Sequence, residues 1–351
     1  MYFHRYTQYT ASLFVVSVTL FLLICHPRLA EATSKQSDSV KPTPEQDVYL
    51  ARKNLYEEYS HLLHMPWYRL AALDQYERTL VPSAKLQKDP NKLIHISLVP
   101  PQWSGWLNPE MEDTNPVTIA LFGGIGKDAS GDGIADPTND RDALFTLGKY
   151  ISTFGYSEDD FRIGLWKYYQ TDRAVARVTQ FSNIYQHFDR LNLFDGAFPL
   201  PVGSIYSYRD TWGNSRHWGG FRIHEGNDLF APNGVPVRSV CYGTVEVKGW
   251  NPFGGWRVGI RDLNNRYYYY AHLHGYRKNL TEGEMVKPGD IIGWVGSSGY
   301  GPPGTQGKFP PHLHFGVYRD NGRTEWAFDP YPLLRRWEAT DKRKTKASPS
   351  T

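Results

Sequence analysis

Cysteine is nearly absent. Only Cys25 and Cys241 occur in 351 residues, so a disulfide scaffold is excluded. Cys25 lies in an apolar leader, and without that leader Cys241 is alone and no intrachain bridge can form. A charge surplus is also lacking. The 39 Lys and Arg against 36 Asp and Glu leave a formal net charge of +3, too little to predict a nucleic-acid partner. Charged residues make up 21% of the chain and hydrophobic ones 40%, which excludes a largely disordered chain. The H-E-x-x-H metal pattern is missing as well. Glu225 follows His224, but Asp228 stands four residues on where a second His would be. Aromatic residues are plentiful, at 15% with 24 Tyr and 11 Trp. They predict a β-rich fold or a groove lined by flat side chains.

The uncharged run from Ala11 to Cys25 is shorter than the roughly 20 residues that span a bilayer comfortably. Arg5 precedes it, and Ala30-Glu31-Ala32 follows with small residues spaced for cleavage. Residues 1–32 therefore read as a cleaved signal peptide or, alternatively, as a signal anchor attaching the chain to a membrane. Bulky Ile24 argues against a lipid on Cys25. Either export reading places the rest in the extracytoplasmic bacterial envelope, secreted or membrane-anchored, because an exported chain without disulfides fits that route.

Residues 33–44 are polar and read as a linker. Residues 45–192 carry a helical pattern. Val175, Val178, Tyr185 and Phe188 recur at helical spacing, with Phe181 and Ile184 in the same stripe. Within this part, Pro82 to Asp140 is rich in Pro, Gly and Asp and reads as a binding wall. The texture changes across Leu193–Tyr208, where a boundary is placed. Residues 200–337 then show short apolar runs between glycine-containing turns: 235–240, 244–248, 256–261, 266–272, 291–295 and 312–318. That spacing predicts an antiparallel β domain. Residues 338–351, polar and Lys-rich, read as a disordered tail. The expected class is α+β, a helical domain followed by an antiparallel sheet.

Five histidines fall into three short patterns: His224-Glu-Gly-Asn-Asp228, Tyr270-Ala-His272-Leu and His312-Leu-His314-Phe. On a strand, His312 and His314 project to one face while Leu313 and Phe315 turn to the core. Two adjacent imidazoles suit one metal ligand and one proton-transfer partner. His224 and Asp228 can aim an imidazole and a carboxylate at one point. Zinc takes such N and O ligands and keeps a position for water. His224, Asp228 and His314 would be the ligands, leaving His272 and His312 beside the open position.

These patterns, with Gly234-Val-Pro-Val, Gly243-Thr-Val and Val286-Lys-Pro-Gly-Asp-Ile-Ile-Gly, give the segment from about Tyr206 to Tyr331 a family resemblance. It resembles the M23 peptidases, the LytM or lysostaphin type of peptidoglycan endopeptidase. Within them it is similar to the L-Ala–D-Glu endopeptidases of spore-forming bacilli, which trim stem peptides in spore cortex. The resemblance implies zinc at His224, Asp228 and His314, with His272 and His312 as the catalytic pair. It implies peptidoglycan peptide and glycan as partners. A non-catalytic activator of another wall hydrolase is the alternative. The loop Tyr300–Pro311 is longer than usual in the family. It is expected to reshape a groove wall without touching the motif residues.

Met65 to Arg78 and Asp132–Gly155 resemble lytic transglycosylase-like, lysozyme-like domains, with Glu77 at the place of the general acid. Arg78 stands where that family has Ser, and the Gly-x-Met-Gln stretch is absent. Glu77 is therefore expected to be an ion-paired surface residue, and the domain a glycan-binding or spacer element. Asp128 to Ile134 looks like the start of a Ca²⁺ loop, but Asn139 stands where the bidentate Glu is needed. It is expected to be a tight turn.

Overall fold

A computed structural model describes residues 44–86, 92–217 and 220–347. The leader at 1–32 and all but the end of the linker at 33–44 lie outside the described residues. No described helix is long and apolar enough to cross a membrane.

The N-terminal part is helical: α1 (Pro44–Leu63), α2 (Trp67–Leu80), α3 (Ser83–Leu86), α4 (Pro100–Ser104), α5 (Pro116–Leu121), α6 (Asp140–Ser152), α7 (Glu158–Tyr169) and α8 (Asp172–Phe188). Local chemistry sets several helix starts. The Asn139 side chain caps α6 by accepting from the Arg141 N–H, and Ser157 and Asp160 form a capping box on α7. Val175, Val178, Phe181, Ile184 and Tyr185 form the buried stripe of α8. They pack with Leu70, Ala71 and Leu73 of α2.

Among the described residues twelve strands follow: β1 (Ser207–Tyr208), β2 (Ser215–Arg216), β3 (Arg222–Ile223), β4 (Asn227–Phe230), β5 (Pro236–Arg238), β6 (Gly243–Asn251), β7 (Gly255–Asp262), β8 (Arg266–Tyr276), β9 (Met285–Val286), β10 (Ile291–Val295), β11 (His312–Asp320) and β12 (Glu325–Phe328). Ten form one antiparallel sheet with the path β1-β4-β11-β8-β7-β6-β9. β10 pairs with β5 and β8, β12 pairs with β11, and β2–β3 is a separate hairpin. The strands expected from the apolar runs are all present. On β8 the four consecutive tyrosines alternate, with Tyr268 and Tyr270 fully buried and Tyr267 and Tyr269 half-buried. Leu313 and Phe315 enter the same core, which fixes the face shown by His312 and His314.

The described residues belong to one compact unit. Gln75 Nε2 on α2 donates to the Leu263 carbonyl at 2.8 Å. Arg177 on α8 and Arg261 on β7 both pair with Glu246 on β6, at 2.7 and 2.6 Å. Arg173 and Arg177 approach Asp320.

Two expectations are corrected. The tail from 338 is not disordered through its described length, because α9 (Tyr331–Ala347) is a helix. Leu334 and Trp337 are buried in the sheet's core, and Glu338 accepts from the Tyr206 and Tyr208 hydroxyls at 2.7 Å each. Glu77 is not a surface ion pair. It is 6% exposed, and the ion pair of that stretch joins Arg78 to Asp74 at 3.0 Å. Burial pushes the Glu77 carboxyl up to about 7, against smaller opposing pulls from Tyr169 and the Ser97 backbone. The 128–134 segment is a turn. The Asp128 carboxylate accepts from the Gly131 and Gly133 N–H groups at 2.7 and 2.8 Å.

Candidate metal centre and active site

β4, β8 and β11 are neighbours in the sheet, and their register assembles the site. His314 lies opposite Asp228 on one side and opposite Ala271 on the other. His224 sits just before β4, and its Nδ1 donates to the Thr211 carbonyl at 2.7 Å. A carbonyl can only accept, so this contact fixes the tautomer and leaves Nε2 as a donor atom for metal. Thr211 Oγ1 also accepts the Asp228 N–H at 3.1 Å.

His224 Nε2, His314 Nδ1 and Asp228 Oδ1 converge. Their separations are 2.9 Å between the two nitrogens, 3.1 Å from His224 to Asp228 and 3.2 Å from His314 to Asp228. Ligand bonds of about 2.0–2.1 Å in tetrahedral zinc put ligand atoms roughly 3.3 Å apart. The donor set therefore fits such an ion. Among the described residues this is the one His/Asp/Glu/Cys cluster so placed. Burial lowers the His314 pKa, favouring the neutral imidazole that ligation needs. Burial alone would raise Asp228, but its contacts with the neighbouring His224 and His314 side chains hold it well below the usual carboxylate range.

His272 and His312 flank this cluster, with ring centroids 4.8 Å apart. Each has its Nδ1 committed to a carbonyl: His272 to Ser298 at 2.7 Å and His312 to Pro310 at 2.8 Å. Both neutral rings thus turn an Nε2 lone pair to the cleft, and His312 Nε2 lies 3.6 Å from Asp228 Oδ1. Burial lowers both pKa values, and for His272 the neighbouring His312 and His314 lower it further. His272 has a left-handed backbone, φ 62°, held by its N–H donating to the Gly254 carbonyl at 2.7 Å. This conformation is costly for a non-glycine residue and tends to persist at functional sites.

The five residues line a cleft of about 580 Å³. The loop Tyr300–Pro311 forms one wall, as expected. It also touches the motif residues, which corrects the second half of that expectation. The Phe309 ring lies 4.6 Å from His272 and 5.1 Å from His312, and Pro310 accepts from His312. Glu225 is exposed and accepts from the Tyr318 hydroxyl at 3.3 Å. Thr211, Ser298 and Pro310 escaped the sequence reading because they act through main-chain carbonyls, which no side-chain pattern announces. Arg216 escaped as well, and its guanidinium contacts Asp228 Oδ2.

Residues 222–330 match Peptidase family M23. The chain is 52% identical over 295 residues to the L-Ala–D-Glu endopeptidase of Bacillus subtilis, covering 84% of this chain and 90% of that protein. It is 35% identical over 115 residues to lysostaphin of Staphylococcus simulans, covering 32% of this chain and 22% of that protein. Among solved structures, a zinc-containing peptidase from Vibrio cholerae aligns with 26% identity and a TM-score of 0.31, over 38% of this chain and 39% of that one.

Proposed function

The chain belongs to peptidase family M23, and from that premise we propose that it is a zinc-dependent endopeptidase hydrolysing the L-Ala–D-Glu amide of peptidoglycan stem peptides. The observation that carries the reading is the convergence of three metal donors with two histidines whose Nε2 atoms face the same cleft. The identity to a protein of that activity over nine-tenths of its length supports the choice of bond.

His224, Asp228 and His314 would hold the ion. Zinc, when bound, supplies Lewis acidity toward water and the scissile carbonyl. The remaining work falls to the protein. With both Nδ1 atoms committed, His272 and His312 begin as acceptors at Nε2. One takes a proton from the attacking water. It then becomes the donor that can steady the oxyanion or protonate the leaving amine. The buried setting keeps both rings neutral, and so competent as bases, near pH 7. Phe309 and Tyr300 pack on His272 and limit its solvent access.

Export by the 1–32 leader, as signal peptide or anchor, and action on the wall in cortex formation belong to the same reading. Residues 45–192 are read as a lysozyme-like element that binds glycan or spaces the peptidase part, residues 200–337, from the wall. Glycosidic chemistry is not proposed for Glu77, since a general acid must reach its substrate and this carboxyl is enclosed. The activator alternative is not favoured, because a mere binding module has no use for three metal donors and two oriented histidines.

A mass profile of peptidoglycan digested by the zinc-loaded protein tests the proposal, with the His314→Ala variant in parallel. Glycan chains left bearing only L-Ala, absent from the variant digest, are the expected result. New amine termini at another residue would overturn the choice of bond. No products from any peptidoglycan would overturn the enzyme reading.

A further inference from the structure

The cleft has a second charged feature beside the metal donors. β2 and β3 pair in the register Ser215↔Ile223 and Arg216↔Arg222. Residues directly opposite on antiparallel strands project to one face, so the two guanidinium groups leave the hairpin together. Both line the cleft that holds the five site residues. Like charges placed directly opposite destabilise a strand pair, and a shared anion reverses the sign of that interaction. Arg222 has its guanidinium carbon 4.9 Å from the Phe253 ring centroid. A guanidinium stacked on an aromatic face donates along its edge.

We propose that Arg216 and Arg222 form a carboxylate subsite that reads the acidic residue on the leaving-amine side of the scissile bond. The proposal rests on the L-Ala–D-Glu reading above. A glutamate acylated at its amine has two carboxyl groups, and extending the peptide consumes one. The other remains within a few bonds of the scissile nitrogen, whichever linkage is used. A planar carboxylate matches the fork of a guanidinium, and such charge-assisted bonds are the strong ones. Arg222 is the principal reader. Arg216 also touches Asp228, so its substitution would disturb the metal donors and confuse the result.

The test uses the full-length zinc-loaded protein and two synthetic muropeptides. They differ only in whether the D-Glu beyond the scissile bond carries a free carboxylate or a primary amide. Wild-type protein is expected to favour the carboxylate in kcat/KM by about tenfold or more. Arg222→Gln should bring the ratio near one, chiefly through KM, and Arg222→Lys should restore part of the preference. Zinc content and melting temperature of each variant separate subsite loss from unfolding. Should Arg222→Gln fail to fold, the wild-type ratio and Arg222→Lys still decide. No wild-type preference, or a preference unchanged in a folded Arg222 variant, overturns the subsite alone. Wild-type protein that cuts other wall bonds and neither muropeptide overturns the L-Ala–D-Glu reading, and the subsite with it.

Discussion

The backbone carbonyl of Thr211 lies 2.7 Å from Nδ1 of His224, while its hydroxyl accepts the N–H of Asp228 at 3.1 Å. One residue outside the three histidine patterns thus orients two of the three residues that could hold the metal. Thr211→Val keeps the carbonyl and the volume but leaves the Asp228 N–H buried without its acceptor, at about 1–3 kcal/mol. Zinc affinity should fall by about tenfold or more, the usual effect of losing a group that orients a ligand. Competition titration against a chelator measures it. Unchanged affinity would show that the hydroxyl is dispensable.

His312 and His314 share a strand face, and the proposed mechanism gives them different tasks. His314→Ala removes a donor, so both bound zinc and activity should be lost. His312→Ala should keep most of the zinc and lose activity by a factor of about 10² or more. Metal content by mass spectrometry, read beside digest products, distinguishes the two. Chelation of the wild type should abolish activity and lower its melting temperature, because the ion binds only the folded site. Activity persisting in either variant would break the assignment.

Gly226 occupies the turn between His224 and Asp228. A Cβ there would stand 2.7 Å from His314 Cε1 and from the Phe315 carbonyl oxygen. The carbonyl cannot retreat without disturbing β11, so the imidazole must move. Gly226→Ala should therefore weaken zinc binding at least about tenfold and cost about 1–3 kcal/mol of stability. A variant with ordinary zinc affinity would show that the strand has slack.

Glu77 gives a pH signature. Burial pushes its folded carboxyl up to about 7, above the ordinary value of 4.5. The folded state holds its proton after the unfolded chain has released its own. The contribution to stability is therefore fully present below about 4.5 and is lost as pH rises through about 7. Glu77→Gln should remove this slope, and at pH 8 the variant should be more stable than wild type by about 1–3 kcal/mol. Urea unfolding of both proteins from pH 4 to 8 measures the difference. Parallel curves would mean the carboxyl is not perturbed.

How much of this was legible in the sequence depended on how each residue acts. The alternation around His312–Phe315 and along Tyr267–Tyr270 survives into the sheet because period-two burial writes itself into residue type. The helical stripe of α8 is visible for the same reason. The left-handed backbone of His272 leaves no trace in residue type, and the carbonyls of Thr211, Ser298 and Pro310 carry no side-chain code. β2 and β3 have two residues each, too few to show a period, so the Arg216–Arg222 opposition could not be read. In α9 the abundant charges hid a buried spacing, Leu334, Trp337 and Glu338, that helical periodicity could have found. The burial of Glu77 was not legible either: Arg78 follows it in sequence, but helix geometry gives Arg78 to Asp74 four residues back.

The bridge from Arg177 through Glu246 to Arg261, and the Gln75 bond to Leu263, bear on how this chain can be recombined. A cutting half transplanted from residue 193 onward would bring Asp320 without Arg173 and Arg177, and a Leu263 carbonyl without its donor. Each half therefore completes the other's polar pairing, and an engineer grafting the cleft elsewhere must carry α2 and α8 along or rewrite Glu246 and Asp320.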